Sequence, residues 1–318
     1  MEHHLTFSHH KQDTSIIYSL KFNPDSTLLA AGKGDGFVSI YDENLSKERD
    51  LDCKRSENLP ISSLKWRPQR GLSKNILIVA DTEGVVLHWH ASTGKLISQT
   101  SLSPGDQALC VDYSPDGDNF AVGCKEPVIL VFDEVTREIV NTLTKYADNP
   151  GHSNRICSLV YYRENLIASG GWDNNVYLWD IRSNGIVRSF SGINLEGDSL
   201  DIFGDHLMSV DRSMHDQMKV WNLADGRLIY SNTFEKDGRV LKGYTAQYCK
   251  NPSSRRMFVG GAGKVQGYFL NRIGYQVVNT VEGLTNSIYS CDFSDSGELF
   301  AIGLKDGSIQ MMQNRGII

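Results

Sequence analysis

The sequence predicts an all-β fold, a seven-bladed β-propeller of four-stranded antiparallel blades closed by an N-terminal strand added to the last blade. Three observations carry this. One apolar pattern recurs seven times along the 318 residues. Each copy is built of short runs of alternating apolar and polar residues, bounded by Pro-Asp and Gly turns, which is the pattern of half-buried antiparallel strands. The last copy stops one strand short, and the N-terminus has a strand to spare.

The first copy shows each element in turn. Ile17 to Phe22 is a first strand, Asn23-Pro24-Asp25-Ser26 a turn, and Leu28 to Ala31 a second strand. Gly34-Asp35-Gly36 is a tight turn, and Val38 to Asp42 a third strand. The third copy repeats this from Val111 through Ser114-Pro115-Asp116-Gly117 to Val131-Phe132-Asp133. The last large residue of each third strand marks the repeat: Tyr41, Trp89, Phe132, Trp179, Trp221, Tyr268 and Met312. Successive marks are 42 to 48 residues apart. No linker or low-complexity segment interrupts them, so residues 1–318 are expected to form a single domain. After Met312 there is no room for a fourth strand. Leu5 to His10 is expected to supply it, pairing an edge that would otherwise stand open.

The fourth copy is the most telling. It reads Gly151-His152-Ser153-Asn154-Arg155-Ile156, then Ala168-Ser169-Gly170-Gly171-Trp172-Asp173, then Val176-Tyr177-Leu178-Trp179-Asp180. These residues closely resemble the WD40-repeat family, whose period of about 40–45 residues the chain shares. The resemblance implies a buried tetrad of His152, Ser169, Asp173 and Trp179. An indole donor buried between sheets needs an acceptor, and a hydroxyl bridged to an imidazole held by a carboxylate satisfies every member. Elsewhere the pattern decays. Asp35 and Asp306 keep the Asp position, Glu83 and Glu126 replace it, the fifth copy has an enlarged turn, and the sixth is shortened around Gly263-Lys264-Val265.

Composition limits function. With 40% hydrophobic and 22% charged residues the chain has the balance of a globular protein with a sizeable core. A formal charge of -6 offers no broad basic field for nucleic acid or anionic membrane. No stretch of about 18 apolar residues spans a bilayer, and Met1 to His10 lacks the apolar run of a signal peptide. The sequon Asn44-Leu45-Ser46 is accordingly read as chance. Cys53, Cys110, Cys124, Cys157, Cys249 and Cys291 include no CxxC pair and sit mostly in apolar strands, which points to a reducing, intracellular setting. The cytoplasm is expected, with the nucleus, cytoskeleton and cilium left open.

No reaction is offered. The His152, Ser169, Asp173 grouping has the members of a hydrolytic triad, but repeat position makes all three buried structure. Gly260-Gly261-Ala262-Gly263-Lys264 lacks the hydroxyl residue after the Lys and the helix that a phosphate loop needs. His3, His4, His9 and His10 lack the fixed geometry of a metal centre. The chain is therefore read as a non-enzyme with no cofactor and no metal.

What remains is surface. Trp172 occupies the turn between second and third strands, where other blades carry Gly34, Thr82, Lys125 and Lys305. This stretch resembles the closing blade of G-protein β subunits, which implies a partner contact at Trp172, with Arg155 beside it. The plain alternative is an indole lying flat across its own blade. Tyr18, Tyr244 and Tyr289 share one place in the first strands of blades one, six and seven, neighbours once the ring closes. They are expected to form a crescent at the channel mouth. The enlarged fifth turn adds Met214 and His215 to the same face. Trp179-Asp180-Ile181-Arg182 resembles the WDxR pattern of propellers that serve cullin–RING ubiquitin ligases as substrate receptors. That resemblance implies an adaptor contact at Arg182 on the opposite face. The leading expectation is a scaffold or adaptor that binds proteins or peptides on one face, a monomeric propeller within a hetero-complex. A ligase substrate receptor and a cytoskeletal or ciliary component are the alternatives.

Overall fold

A computed structural model describes residues 8–54, 59–69, 74–146 and 150–313. These residues fold into seven four-stranded antiparallel sheets. Blade four is representative, with strands Ile156–Arg163, Leu166–Gly171, Asn175–Asp180 and Gly185–Ser191 in spatial order. The first strands of successive blades pack side by side, and that of blade seven, Ile288–Phe293, packs on that of blade one, Ile17–Phe22. The ring is closed.

Period-2 patterning explains how the ring is filled. Alternate residues leave each sheet on opposite faces, so each blade must bury both faces against its neighbours. Seven separate apolar clusters result among the described residues, one at each junction of two blades. That between blades six and seven is aromatic, with Phe269 and Phe300 in contact with each other and with both Phe258 and Phe293. The junction of blades three and four holds Trp179, 1% exposed.

The closing strand is His9–Gln12, paired antiparallel with Ser308–Gln313 of blade seven. This corrects the expected span of Leu5 to His10. The strand runs further along the chain, and residues 1–7 lie outside the described residues. His9 and His10 therefore belong to a strand, while His3 and His4 lie among the residues not described. Gly307 lets the strand in. Its φ of 86° suits glycine, and a Cβ there would lie 2.5 Å from the Asp13 carbonyl oxygen.

A second correction concerns blade six. The third strands carry a register shift immediately before Tyr41, Trp89, Phe132, Trp179 and Trp221, and in blade six the shift precedes Leu270. The next residue, Asn271, accepts from the Ile273 N–H just as Asp42 and Asp180 accept two residues on. Leu270 is thus the structural counterpart of the marks in the other blades. Tyr268, two residues earlier on the same face, is the larger side chain. Among the described residues no helix is long and apolar enough to cross a membrane.

Candidate functional site

Six of the seven first strands open on a bulge, and the bulges build the site. The pairing skips one residue between Ile17 and Ser19, Ile61 and Ser63, Ala108 and Cys110, Ile156 and Ser158, Gly243 and Thr245, and Ile288 and Ser290. The skipped residue is unpaired and turned out of the ladder. These are Tyr18, Ser62, Leu109, Cys157, Tyr244 and Tyr289. Blade five, whose first strand begins only at Leu200, has Asp198 in the matching place before Ser199. All seven line one cavity of about 400 Å³ at the mouth of the channel. It opens on the face that carries the turns between second and third strands, since Thr82 and Trp172 line it too.

The three tyrosines are in contact. Tyr18 and Tyr289 have ring centroids 5.9 Å apart, and Tyr244 and Tyr289 5.0 Å, all tilted to one another. Burial, with Tyr289 adding to it, raises the Tyr18 hydroxyl above its ordinary pKa. Burial does the same for Tyr244 against the pull of Arg212. Both hydroxyls therefore stay protonated donors at neutral pH.

Across the mouth, Trp172 is 42% exposed and is covered by its own blade's Arg155, whose guanidinium sits 4.2 Å from the ring centroid. Gly171 explains the proximity, because a Cβ there would overlap the Arg155 carbonyl oxygen at 1.9 Å. Met214 is 63% exposed, and His215 is exposed beside it on the enlarged turn. Neither lines the cavity. Arg212 of the same turn does reach inward, 5.8 Å over the Tyr244 ring and paired with Glu196.

The floor was not foreseen. The Lys21 ammonium lies 2.5 Å from the Asp198 carboxylate and 4.0 Å from Asp292, while Gln247 donates to Asp198 at 3.3 Å. Burial works against the charge on Lys21, but the two carboxylates overcome it and raise its pKa. Lys65 and Asp112 form a second pair at 2.9 Å. A signal was present: Lys21, Lys65, Asp112, Asp201, Gln247 and Asp292 all fall at one place in the first strand, a polar residue in an otherwise apolar run. Three of the carboxylates also brace the ring. Asp112 accepts from the Tyr161 N–H, Asp201 from Tyr248 and Asp292 from Phe22, each in the next blade.

In blade four, Trp179 Nε1 donates to Ser169 Oγ at 2.9 Å. The hydroxyl lies 2.8 Å from His152 Nε2, and His152 Nδ1 lies 2.7 Å from Asp173. Burial opposes the charge on Asp173, yet His152 and the N–H groups of Ser153 and Asn175 hold its pKa below the usual carboxylate range. The His152 and Asp173 side chains are each 1% exposed. Arg182 lies in the turn between third and fourth strands, on the opposite face. Its side chain is 70% exposed and held by Asp180 at 2.9 Å.

Comparison with known proteins adds to this geometry. The profile of the WD domain, G-beta repeat, matches residues 1–42, 140–180 and 275–311. The sequence is similar to Protein SUPPRESSOR OF PHYA-105 1 of Arabidopsis thaliana, 26% identical over 66% of this chain and 20% of that protein. It is similar to the E3 ubiquitin-protein ligase COP1 of the same plant, 23% identical over 56% of this chain and 32% of that one. It also resembles a p21-activated protein kinase-interacting protein 1-like of Danio rerio, 26% identical over 65% of this chain and 52% of that one. The chain spans between a fifth and about half the length of these relatives.

Proposed function

We propose that this seven-bladed propeller, in which WD40 repeats are found, is a non-catalytic scaffold that binds a protein or peptide in and around the cavity at its channel mouth, as one subunit of a larger complex. The observation that carries the reading is the convergence of six bulge residues, three of them tyrosine, and of Asp198 on one concavity. Tyrosine, tryptophan and arginine dominate interface energies because they bury much area for few rotatable bonds. Here rigid strands hold them, so little entropy is lost on binding. The relatives' names, a kinase-interacting protein and a ubiquitin ligase among them, accord with a protein-binding role. Six cysteines with no disulfide, five of them buried, support a reducing intracellular setting.

The test is an alanine scan of Tyr18, Tyr244, Tyr289, Trp172 and Arg155 in the tagged protein, reading melting temperature and co-purifying partners. Unchanged melting with losses of about 2 kcal/mol or more in partner affinity is expected. Full partner recovery in all five variants moves the binding surface elsewhere.

A second reading rests on Arg182. Its exposed guanidinium lines a separate groove of about 580 Å³ with Tyr162 and Arg163, which supports a contact with a ligase adaptor on that face. Arg182→Ala is expected to abolish adaptor co-purification with the fold intact. Absence of any adaptor from the unmutated protein ends this reading.

A further inference from the structure

We propose that the cavity takes a carboxylate side chain of its peptide partner, clasped by Arg155; this rests on the channel-mouth reading above. Two of the three charged side chains that line the cavity are already answered. Glu196 is paired with Arg212, and Asp198 with Lys21. Arg155 alone among the charged lining groups has no opposite partner among the described residues, and none of its side-chain N–H groups finds an acceptor. Its Nε is buried and unbonded. The Thr82 hydroxyl, also part of the lining, is buried without a partner. A guanidinium held over an indole ring by cation–π attraction keeps its N–H donors for other partners, and its planar fork matches a carboxylate with two parallel hydrogen bonds. Because Trp172 holds the guanidinium beforehand, little side-chain entropy remains to be lost when the acid arrives.

Charge selects a carboxylate over a phosphoryl group. One unpaired guanidinium balances one negative charge, whereas a phosphate carries nearly two. The excess would face Glu196 and Asp198, which share the cavity. The tyrosine crescent opposite then packs the apolar stem and neighbours of the acidic residue.

The experiment uses the full chain and three terminally blocked peptide libraries, identical except for one central residue: glutamate, glutamine or phosphoserine. Each library is passed over the immobilised protein, and retained peptides are counted by mass spectrometry. Glutamate peptides are expected to be retained about tenfold over their glutamine twins, as one charge-assisted pair implies. The preference falls to about one in Arg155→Gln, with Arg155→Lys intermediate because it keeps the charge without the planar edge. The melting temperature of each variant is read alongside, and Arg155→Lys carries the test where Arg155→Gln does not fold. Equal retention of glutamate and glutamine, a preference for phosphoserine, no retention at all, or a preference that survives Arg155→Gln each overturns the proposal. Partner loss on tyrosine substitution without a glutamate preference sinks this inference alone and leaves the channel-mouth reading standing.

Discussion

Lys21 of blade one and Asp198 of blade five meet at 2.5 Å across the channel, three blades apart by the shorter way round the ring. The lysine side chain is 10% exposed and the aspartate 30%. Removing Asp198 leaves Lys21 only the more distant Asp292, in a place with little water. Asp198→Asn should therefore cost about 2 kcal/mol, less than the 3–5 kcal/mol of a fully enclosed pair because Asp198 is partly wet. Lys21→Met combined with Asp198→Asn should recover most of the loss. Urea unfolding of the two single variants and the double gives the coupling directly. Single variants that unfold at the parent midpoint would make the contact incidental.

Asp292 gives the channel a pH dependence. Burial pushes its pKa up to about 6, against Lys21 and the Phe22 N–H. A carboxyl whose folded pKa lies above its unfolded value contributes stability below about pH 4 and loses it as pH rises to about 6. Asn mimics the protonated form. Asp292→Asn should thus melt with the parent near pH 4 and a few degrees above it at pH 7. A difference that stays flat across this range contradicts the assignment.

The hydrogen-bonded chain in blade four has one indole donor. Trp179→Phe leaves the Ser169 hydroxyl, and through it His152, without that donor, for a loss on the order of 1–3 kcal/mol from the hydrogen bond, with a further loss from the smaller buried ring. The chain also depends on an ionised Asp173, whose pKa is lowered. Its contribution is present above about pH 4 and disappears as pH falls through the folded value. An unchanged melt in Trp179→Phe would remove this network from the stabilising interactions.

Deleting residues 1–12 removes the strand that covers Ser308–Gln313. The bared edge presents unpaired N–H and C=O groups to other chains. Light scattering after gel filtration should find oligomers or aggregate, and melting should come earlier. A monomer with the parent melting temperature would show that blade seven does not need its fourth strand.

Most of the ring was legible because a propeller repeats its reasons. Seven copies of one alternation fix strand number and blade order, and the His152 to Trp179 spacing places a hydrogen-bonded chain on named side chains. The tyrosine crescent was legible for the same cause, since Tyr18, Tyr244 and Tyr289 share a repeat position. Asp198 was not. Blade five enters its first strand through the irregular stretch 192–198, which hides the register that makes Asp198 the equivalent of those tyrosines. Leu270 was missed because size was used as the mark, whereas the strand is set by the Asn271 turn. The Arg155–Trp172 stack depends on two loops meeting across Gly171, a contact that no periodicity encodes.

The first-strand bulges have a consequence for how such a surface can change. A bulge residue is skipped by the pairing of its ladder, and its side chain lies outside the seven junction clusters. At Tyr18, Leu109, Cys157, Tyr244 and Tyr289 substitution leaves strand pairing and junction packing alone, whereas Ser62 donates to the Ala80 and Ala108 carbonyls and Asp198 answers Lys21. Five such places ring a single opening, each on its own blade, so each behaves like one tumbler in a lock that can be recut without rebuilding the case. A duplicated gene of this kind can move to a new client by a few point changes at the positions of Tyr18, Leu109, Cys157, Tyr244 and Tyr289. The same five codons are the natural ones to randomise when this chain is recast as a binder.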